Sequence, residues 1–579
     1  MKKHSNTYTL RVAIFTLIVI GMGCASLTPS PTTTGASAPG PTATVVATSE
    51  PSVTATPGLI AEPITFTSDG LSLQGYLYKP EGNGPFPAII WNHGSEQSSD
   101  QNSEFDAVAQ IFVPAGYVVF APAGRGQGRS QGQSIQDQIQ QEQSSNGAAA
   151  AQQLFVQLME GSQLDDQLAS LAYLKSLPYV NTAQLVVAGC SYGGVETMFA
   201  AEKGADYKAA VAISPGSDSW DGNTLLQQAL TKAVSGINIP VFLIHPEKDV
   251  SVEPGYTLAQ EFLKLGKSYS LKIYPAFGPA SEQGLCFGGA HGFHWWAGDV
   301  LSFLGNALSP NSTGASQPPL PPLTQPLRPE QITLQSDGLN LVGYLYKPSG
   351  PGPFPAIIWN HGSEQDPTAP GEFDRIASVF VPAGYVVVDP VRRGQGGSQG
   401  DYIADQTKLV FQTKGKVAAE EFVADQMAGP QLDDQLSGLT YLESLPYVDK
   451  NRIAVVGCSY GGMQTLFGAA SGKGYKAAVA LSPGAESWDA NPLLQQALIK
   501  LVSSINIPTL IIHPAQDASL APGYALGPEF QRLGKTYGLQ IFPPFGAAVM
   551  HCFGGGSKDA IGIDVWGTTA LSFLSNVFH

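Results

Sequence analysis

Two serines offer this sequence a nucleophile. Ser191 and Ser459 each stand at the centre of Gly-Cys-Ser-Tyr-Gly-Gly, at residues 189–194 and 457–462. Glycines two residues before and after the serine permit a tight strand-to-helix turn that holds the hydroxyl clear of the backbone. Such a serine needs a base to take its proton and an acid to orient that base. The acid is expected after a later strand. The apolar run 241–244 leads into His245-Pro246-Glu247-Lys248-Asp249, and 509–512 leads into His513-Pro514-Ala515-Gln516-Asp517. Only Asp249 and Asp517 persist as acids in both, because Ala515 replaces Glu247. Each is expected to orient an imidazole; capping of the next helix is the competing role.

The base is expected nearer the C-terminal end of each copy. The first copy has Cys286-Phe287-Gly288-Gly289-Ala290-His291-Gly292-Phe293-His294, and the second has His551-Cys552-Phe553-Gly554-Gly555. Counted back from the shared Leu-Ser-Phe-Leu at 301 and 571, His291 matches Ile561 and His294 matches Asp564. Counted from the shared Cys-Phe-Gly-Gly, His551 matches Leu285. Either this loop delivers the base from two different points, or one copy has lost it. His291 is the expected base of the first copy, with His294 as its competitor, and His551 that of the second. Amides of Tyr192 and Tyr460, next to the nucleophiles, should form half of an oxyanion hole. Ser95 and Ser363, in the turns Asn92-His93-Gly94-Ser95-Glu96 and Asn360-His361-Gly362-Ser363-Glu364, should supply the other half. His93 and His361 are expected to shape those turns rather than act as bases.

Positioning these groups requires two complete folds. Ser459 minus Ser191 is 268, and the stretch 85–97 recurs unchanged at 353–365 with the same offset. A period of 268 residues means two whole domains rather than a solenoid, whose period runs roughly 20–50 residues. The expected boundaries are 61–308 and 330–579. Apolar strand-like runs at 88–91, 117–120, 185–188, 209–213, 241–244 and 271–274 alternate with helical patterns, and the second copy repeats the order. That alternation predicts an α/β class fold, each domain a mostly parallel sheet with helices on both faces and its site at the carboxyl ends of the strands. Segments 131–163 and 399–431 diverge between the copies and are expected to form small helical lids. Arg125 and Arg393, near a strand end, could bind a substrate carboxylate bidentately; an internal ion pair, with Glu96 or Glu364, is the alternative.

Both copies resemble dienelactone-hydrolase-like members of the α/β-hydrolase superfamily across nearly their full length. The matching residues are His-Gly after one strand, Arg-Gly-Gln-Gly at 125–128 and 393–396, the serine turn, the late aspartate and a histidine near the end. The resemblance implies ester hydrolysis through an acyl-enzyme, on two tandem α/β-hydrolase domains. One departure is that dienelactone hydrolases use cysteine as nucleophile, whereas here serine is central and Cys190 or Cys458 precedes it. Tyrosine after the serine is also common in prolyl-oligopeptidase-type peptidases, so peptide substrates stay open. A third reading is a catalytically inactive binding module in one or both domains.

Outside the repeats, Lys2, Lys3 and Arg11 precede the apolar stretch 12–22, which is too short to span a bilayer. Gly21-Met22-Gly23-Cys24-Ala25-Ser26 then resembles a bacterial lipoprotein signal, with Cys24 lipidated, residues 1–24 as signal and 25–60 as a Thr/Pro/Ser-rich tether. Gly21 departs from that pattern, and an ordinary signal peptide or an uncleaved anchor is the alternative. Residues 309–329 read as a Pro-rich linker. Charged residues make up 13% of the chain, below the roughly 25% of an average soluble protein, and the net charge is −16 without a basic run. Nucleic acid is therefore not an expected partner; the expected partners are a small ester or peptide substrate, a membrane through the lipid anchor alone, and the other domain. No cofactor or metal is expected. The pairs Cys190/Cys286 and Cys458/Cys552 are expected as small buried hydrophobes beside each site, with a disulfide per domain as the alternative.

Overall fold

The computed structural model describes residues 59–94, 103–204, 206–308, 327–368, 372–543, 551–553 and 561–578. The first repeat supplies strands β1 (Glu62–Ser68), β2 (Leu71–Tyr78), β3 (Phe86–Asn92), β4 (Val118–Pro122), β5 (Val180–Cys190), β6 (Tyr207–Ile213), β7 (Val241–Pro246) and β8 (Tyr269–Tyr274). The second supplies β9 (Glu330–Ser336), β10 (Leu339–Tyr346), β11 (Phe354–Asn360), β12 (Val386–Pro390), β13 (Val448–Cys458), β14 (Ala477–Leu481), β15 (Thr509–Pro514) and β16 (Tyr537–Phe542). Within each repeat the first two strands alternate exposed and buried residues and pair antiparallel. The six that follow pair parallel with one another and are nearly continuously buried, as sheets covered on both faces demand.

The sixteen strands form a single sheet, in the order β1-β2-β4-β3-β5-β6-β7-β8-β16-β15-β14-β13-β11-β12-β10-β9. Two separate sheets were the sequence expectation; instead β8 and β16 pair antiparallel, Leu539 opposite Ile273 and Ile541 opposite Leu271. These are the bare edges that each repeat would otherwise present to solvent, and pairing satisfies both. Tyr256 Oη lies 3.1 Å from Tyr537 Oη and Tyr269 Oη 2.9 Å from Tyr524 Oη, so buried hydroxyls are also matched across the seam. The hydrophobic core follows the sheet. On one face it runs unbroken through both repeats, from Phe66 and Leu73 to Leu539 and Ile541. On the other face each repeat keeps its own cluster, built on Trp91 and Trp296 in the first and Trp359 and Trp566 in the second. The face of separate cores is the one that carries the loops holding the two cysteine pairs.

The lid segments are helical. Residues Ile135–Asn146 and Ala148–Glu160 form a hairpin in the first repeat, as do Ile403–Lys414 and Lys416–Ala428 in the second. Each sits on the continuous-core side, where Met159 and Met427 are fully buried.

Candidate active site

Strand β13 ends at Cys458, and Ser459 follows with φ 58° and ψ −118° at the head of helix Tyr460–Ala470. A non-glycine residue at positive φ is strained and persists only where its surroundings fix it. Here Ser459 N–H donates to the Leu481 carbonyl at 3.0 Å, tying the turn to the end of β14. A Cβ at Gly461 would overlap the Asn360 carbonyl, so glycine is what lets the turn close onto the end of β11. Ser191 repeats this at φ 54° and ψ −112°, with Gly193 against the Asn92 carbonyl.

In the second repeat the aspartate meets a histidine of the expected loop. His551 Nδ1 lies 2.6 Å from Asp517 Oδ1. The same oxygen accepts the Ala518 amide at 2.8 Å, and Oδ2 lies 2.7 Å from His513 Nδ1. Burial alone would raise the Asp517 carboxyl, but hydrogen bonds from His513, His551 and Ser482, with the charge of His513, hold it well below the usual carboxylate range. Burial works against the His551 imidazolium, yet the bond and charge of Asp517 and the charge of Glu486 lift its pKa above the ordinary value. The other ring nitrogen, His551 Nε2, is buried with no hydrogen-bond partner among the described residues. Ser459 and His551 line one cavity of about 170 Å³, together with Ser363, Glu364, Glu486 and the Cys458–Cys552 pair. None of its lining residues comes from 399–431. That helical hairpin is anchored beside the nucleophile turn instead, through Tyr460 Oη donating to Gln431 (2.6 Å) and Gln464 donating to the Met427 carbonyl (3.1 Å).

The first repeat has the same frame and different contents. Asp249 Oδ2 lies 2.8 Å from His245 Nδ1, as in the other copy. Its Oδ1, however, accepts the Ser217 hydroxyl at 2.6 Å and the Val250 amide at 2.9 Å. With the offset of 268, position 217 corresponds to Ala485, which has no hydroxyl. Cys286 N–H donates to Ser214 Oγ at 3.3 Å, as Cys552 N–H does to Ser482 Oγ at 3.4 Å, so the two cysteine loops are held alike. The residue before the cysteine is His551 in one and Leu285 in the other. His294 opens helix His294–Leu308, is exposed, and lies 3.6 Å from Glu282. His291 lies in the segment Leu285–Gly292, and its side chain is outside the described part. Ser95 also lies outside the described residues, as does Cys24. Ser191 Oγ is buried without a hydrogen-bond partner among the described residues.

The remaining expected residues divide. Tyr192 and Tyr460 each open the helix after the nucleophile, where the first amides have no intrahelical acceptor. Ser363 lines the Ser459 cavity. Arg125 and Arg393 form the alternative, an internal ion pair: Arg125 clasps Asp166 through Nε (2.8 Å) and Nη2 (2.6 Å), and Arg393 does the same to Asp434 at 2.9 and 2.6 Å. Each arginine also reaches a turn aspartate, Asp69 or Asp337 at 3.0 Å, so the ion-pair partners of Arg393 are aspartates rather than Glu364, while Glu96 lies outside the described residues. His93 and His361 are buried; His361 Nδ1 lies 3.0 Å from the Gly362 carbonyl, and burial with the charge of Arg392 pushes its pKa down to about 4. They shape the turn as neutral rings.

The cysteines overturn the expectation of small free hydrophobes. Disulfides join Cys190 to Cys286 and Cys458 to Cys552, each with Cα atoms 5.9 Å apart. Four further residues have roles that the sequence reading did not assign. His245 and His513 brace the aspartates from four residues earlier in the chain, a spacing visible in both copies. Ser217 could have been found as the hydroxyl absent at Ala485. Arg392 donates to the His361 carbonyl at 2.8 Å and lies over the Tyr460 ring at 4.9 Å, bracing the turn that carries Ser363; Gly124 takes its place in the first repeat. Among the described residues no cluster of three or more His, Cys, Asp or Glu is arranged to hold a metal.

A mixed sheet with a serine on the strained turn after a central strand, and an aspartate–histidine pair beyond it, defines an α/β-hydrolase of the serine type. Residues 73–284 match the dienelactone hydrolase family and residues 418–489 the prolyl oligopeptidase family. The chain thus has the α/β-hydrolase fold, and its first repeat is similar to the dienelactone hydrolase family over residues 73–284. It is 24% identical to the uncharacterized peptidase YtmA of Bacillus subtilis, over 39% of this chain and 88% of that protein. It is 25% identical to the quorum-quenching protein AidA of Acinetobacter baumannii, over 29% of this chain and 48% of that protein, so it spans about half of that relative. Among solved structures it is similar to the Pyrococcus horikoshii acylaminoacyl peptidase (18% identity, TM-score 0.34, covering 44% of this chain and 42% of that one). It is also similar to Est1E of Butyrivibrio proteoclasticus with bound ferulic acid (20% identity, TM-score 0.32, covering 42% and 99%).

Proposed function

We propose that this serine hydrolase cleaves carboxylic esters at Ser459, His551 and Asp517 in the second repeat, and that the first repeat is a catalytically silent partner. The 2.6 Å bond from His551 to Asp517, made in the cavity that also holds Ser459, carries this reading. Ser459 Oγ attacks the acyl carbonyl while His551 Nε2 takes its proton; Asp517 holds Nδ1–H and steadies the imidazolium. Amides of Tyr460 and Ser363 receive the oxyanion. Return of the proton expels the alcohol and leaves an acyl-serine, which water cleaves by the same steps in reverse order. The first repeat lacks a histidine at the His551 position, and Ser217 occupies the aspartate oxygen that His551 takes in the second. Export, with or without a lipid on Cys24, accords with two disulfides, which persist in oxidising surroundings.

Labelling with a fluorophosphonate tests this. Wild type and Ser191→Ala should label equally, whereas Ser459→Ala should lose the label and at least about 10⁴-fold in ester turnover. Label on Ser191 in the Ser459→Ala protein would refute the silent first repeat and return His291 as its base. A peptide reading has a foothold in the prolyl oligopeptidase match at residues 418–489, which spans this serine turn. Faster cleavage of an acyl-peptide anilide than of the matching ester would establish it instead.

A further inference from the structure

The bridge Cys458–Cys552 joins the residue immediately before the nucleophile to the residue immediately after the base. Along the chain the two cysteines are 94 residues apart. Through the sulfurs, Ser459 and His551 are each one peptide bond from a common covalent link. We propose that this disulfide is the clamp that presents His551 to Ser459, so that hydrolysis depends on its being oxidised. The proposal rests on Ser459 and His551 being the working pair.

The loop's backbone shows why a clamp is needed. Cys552 has φ 51° and Phe553 φ 54°, two consecutive non-glycine residues in the left-handed region, which L-residues disfavour. Such a conformation persists only where its surroundings over-determine it. Among the described residues three things hold it: the disulfide, the Cys552 amide on Ser482 Oγ at 3.4 Å, and the buried Phe553 ring set edge-on to Phe542 at 5.6 Å. Only the first ties the loop to the nucleophile turn. The second ends on Ser482, which also bonds Asp517, so the bridge and the aspartate grip His551 from its two neighbours in space. Cys458 and Cys552 line the same cavity as Ser459 and His551, so a small reductant that reaches the site reaches the bridge.

The first repeat is a built-in control. Its Cys190–Cys286 bridge, Cys286 at φ 54°, Phe287 at φ 58° and bond to Ser214 repeat the arrangement, but Leu285 stands where the clamp would present a base. Loss of either bridge should cost stability alike. Loss of the second alone should cost catalysis.

Reduction by dithiothreitol transfers two electrons and two protons to the sulfurs, giving two thiols and the reagent's cyclic disulfide. Full-length protein would be compared oxidised, reduced, reoxidised, as Cys458→Ala/Cys552→Ala, and as Cys190→Ala/Cys286→Ala. Each would be followed by p-nitrophenyl ester turnover, fluorophosphonate labelling and circular dichroism. Reduction and the Cys458/Cys552 variant should lower kcat about 10²-fold, the scale of a small misplacement of a catalytic group, with KM little changed and the dichroism retained. Their residual activity should show an acid limb moved down toward that of an ordinary imidazole, because the His551–Asp517 pairing loosens. Reoxidation should restore activity, and the Cys190/Cys286 variant should retain it. Undiminished turnover in the reduced, folded protein would overturn the clamp, as would a loss that merely follows loss of dichroism. Oxidised protein that neither turns over ester nor labels at Ser459 would instead refute the hydrolase reading beneath it.

Discussion

At the scale of residues, the two copies of one serine turn differ in what stands around their aspartates. Asp517 is shared by two imidazoles, whereas Asp249 is shared by an imidazole and the Ser217 hydroxyl. The difference can be undone. In a Ser459→Ala background, Ser217→Ala with Leu285→His should make Ser191 labelable, with a fluorophosphonate rate about 10²-fold above that background, the lower end of what a positioned base contributes. The pH profile follows from the groups around His551. A general base must be neutral, and His551 is held protonated to higher pH by Asp517 and Glu486. The acid limb of kcat/KM should therefore lie above the ordinary imidazole value of about 6.5. Glu486→Gln removes one of the two charges and should move that limb down by up to about one unit; a limb that stays in place would show that Glu486 does not act on His551. Much of this was legible in the sequence. Ser191, Ser459, Asp249 and Asp517 announce themselves because a strained turn and a strand end need particular residues at fixed spacing. His551 was legible as the second copy's expected base only through its loop and not through a fixed spacing, because a base is recruited through space rather than by local pattern. The disulfides were legible only as the alternative reading of two matched cysteine pairs, since nothing in Gly-Cys-Ser reports how close another loop brings the second sulfur.

Elements explain what the residues cannot. The strand runs and their order could be read from apolar blocks because parallel strands buried on both faces permit little else. The helical hairpins at 135–160 and 403–428 could be anticipated as helices, but not their side of the sheet, which is decided by the packing of Met159 and Met427. The seam was invisible for a related reason: β8 and β16 carry the same kind of buried pattern whether their neighbour is a helix, water or each other. Helices Glu253–Lys264 and Ala521–Arg532 approach closely across it, where a Cβ at Gly527 would overlap the Tyr256 hydroxyl. Gly527→Val should therefore destabilise the protein by about 1–3 kcal/mol, as overpacking does, measured by denaturant unfolding; unchanged stability would mean that the two helices can part at no cost. Ester turnover at low denaturant should be spared, because Gly527 lies on the face opposite the cysteine loops.

At the scale of the whole molecule, the sixteen-stranded sheet is two copies of one fold joined edge to edge, with a continuous core on one side and two private cores on the other. The shared side binds the halves together, and each private side packs around its own cysteine loop. That arrangement bears on inheritance. A pair of identical subunits encoded once must carry every substitution in both, so a change that ruins one site ruins its twin. Two copies written in tandem are released from that rule. Ser217 against Ala485, Leu285 against His551 and Gly124 against Arg392 are substitutions that one reading frame can hold separately, leaving one half free to be chosen for how it supports the other.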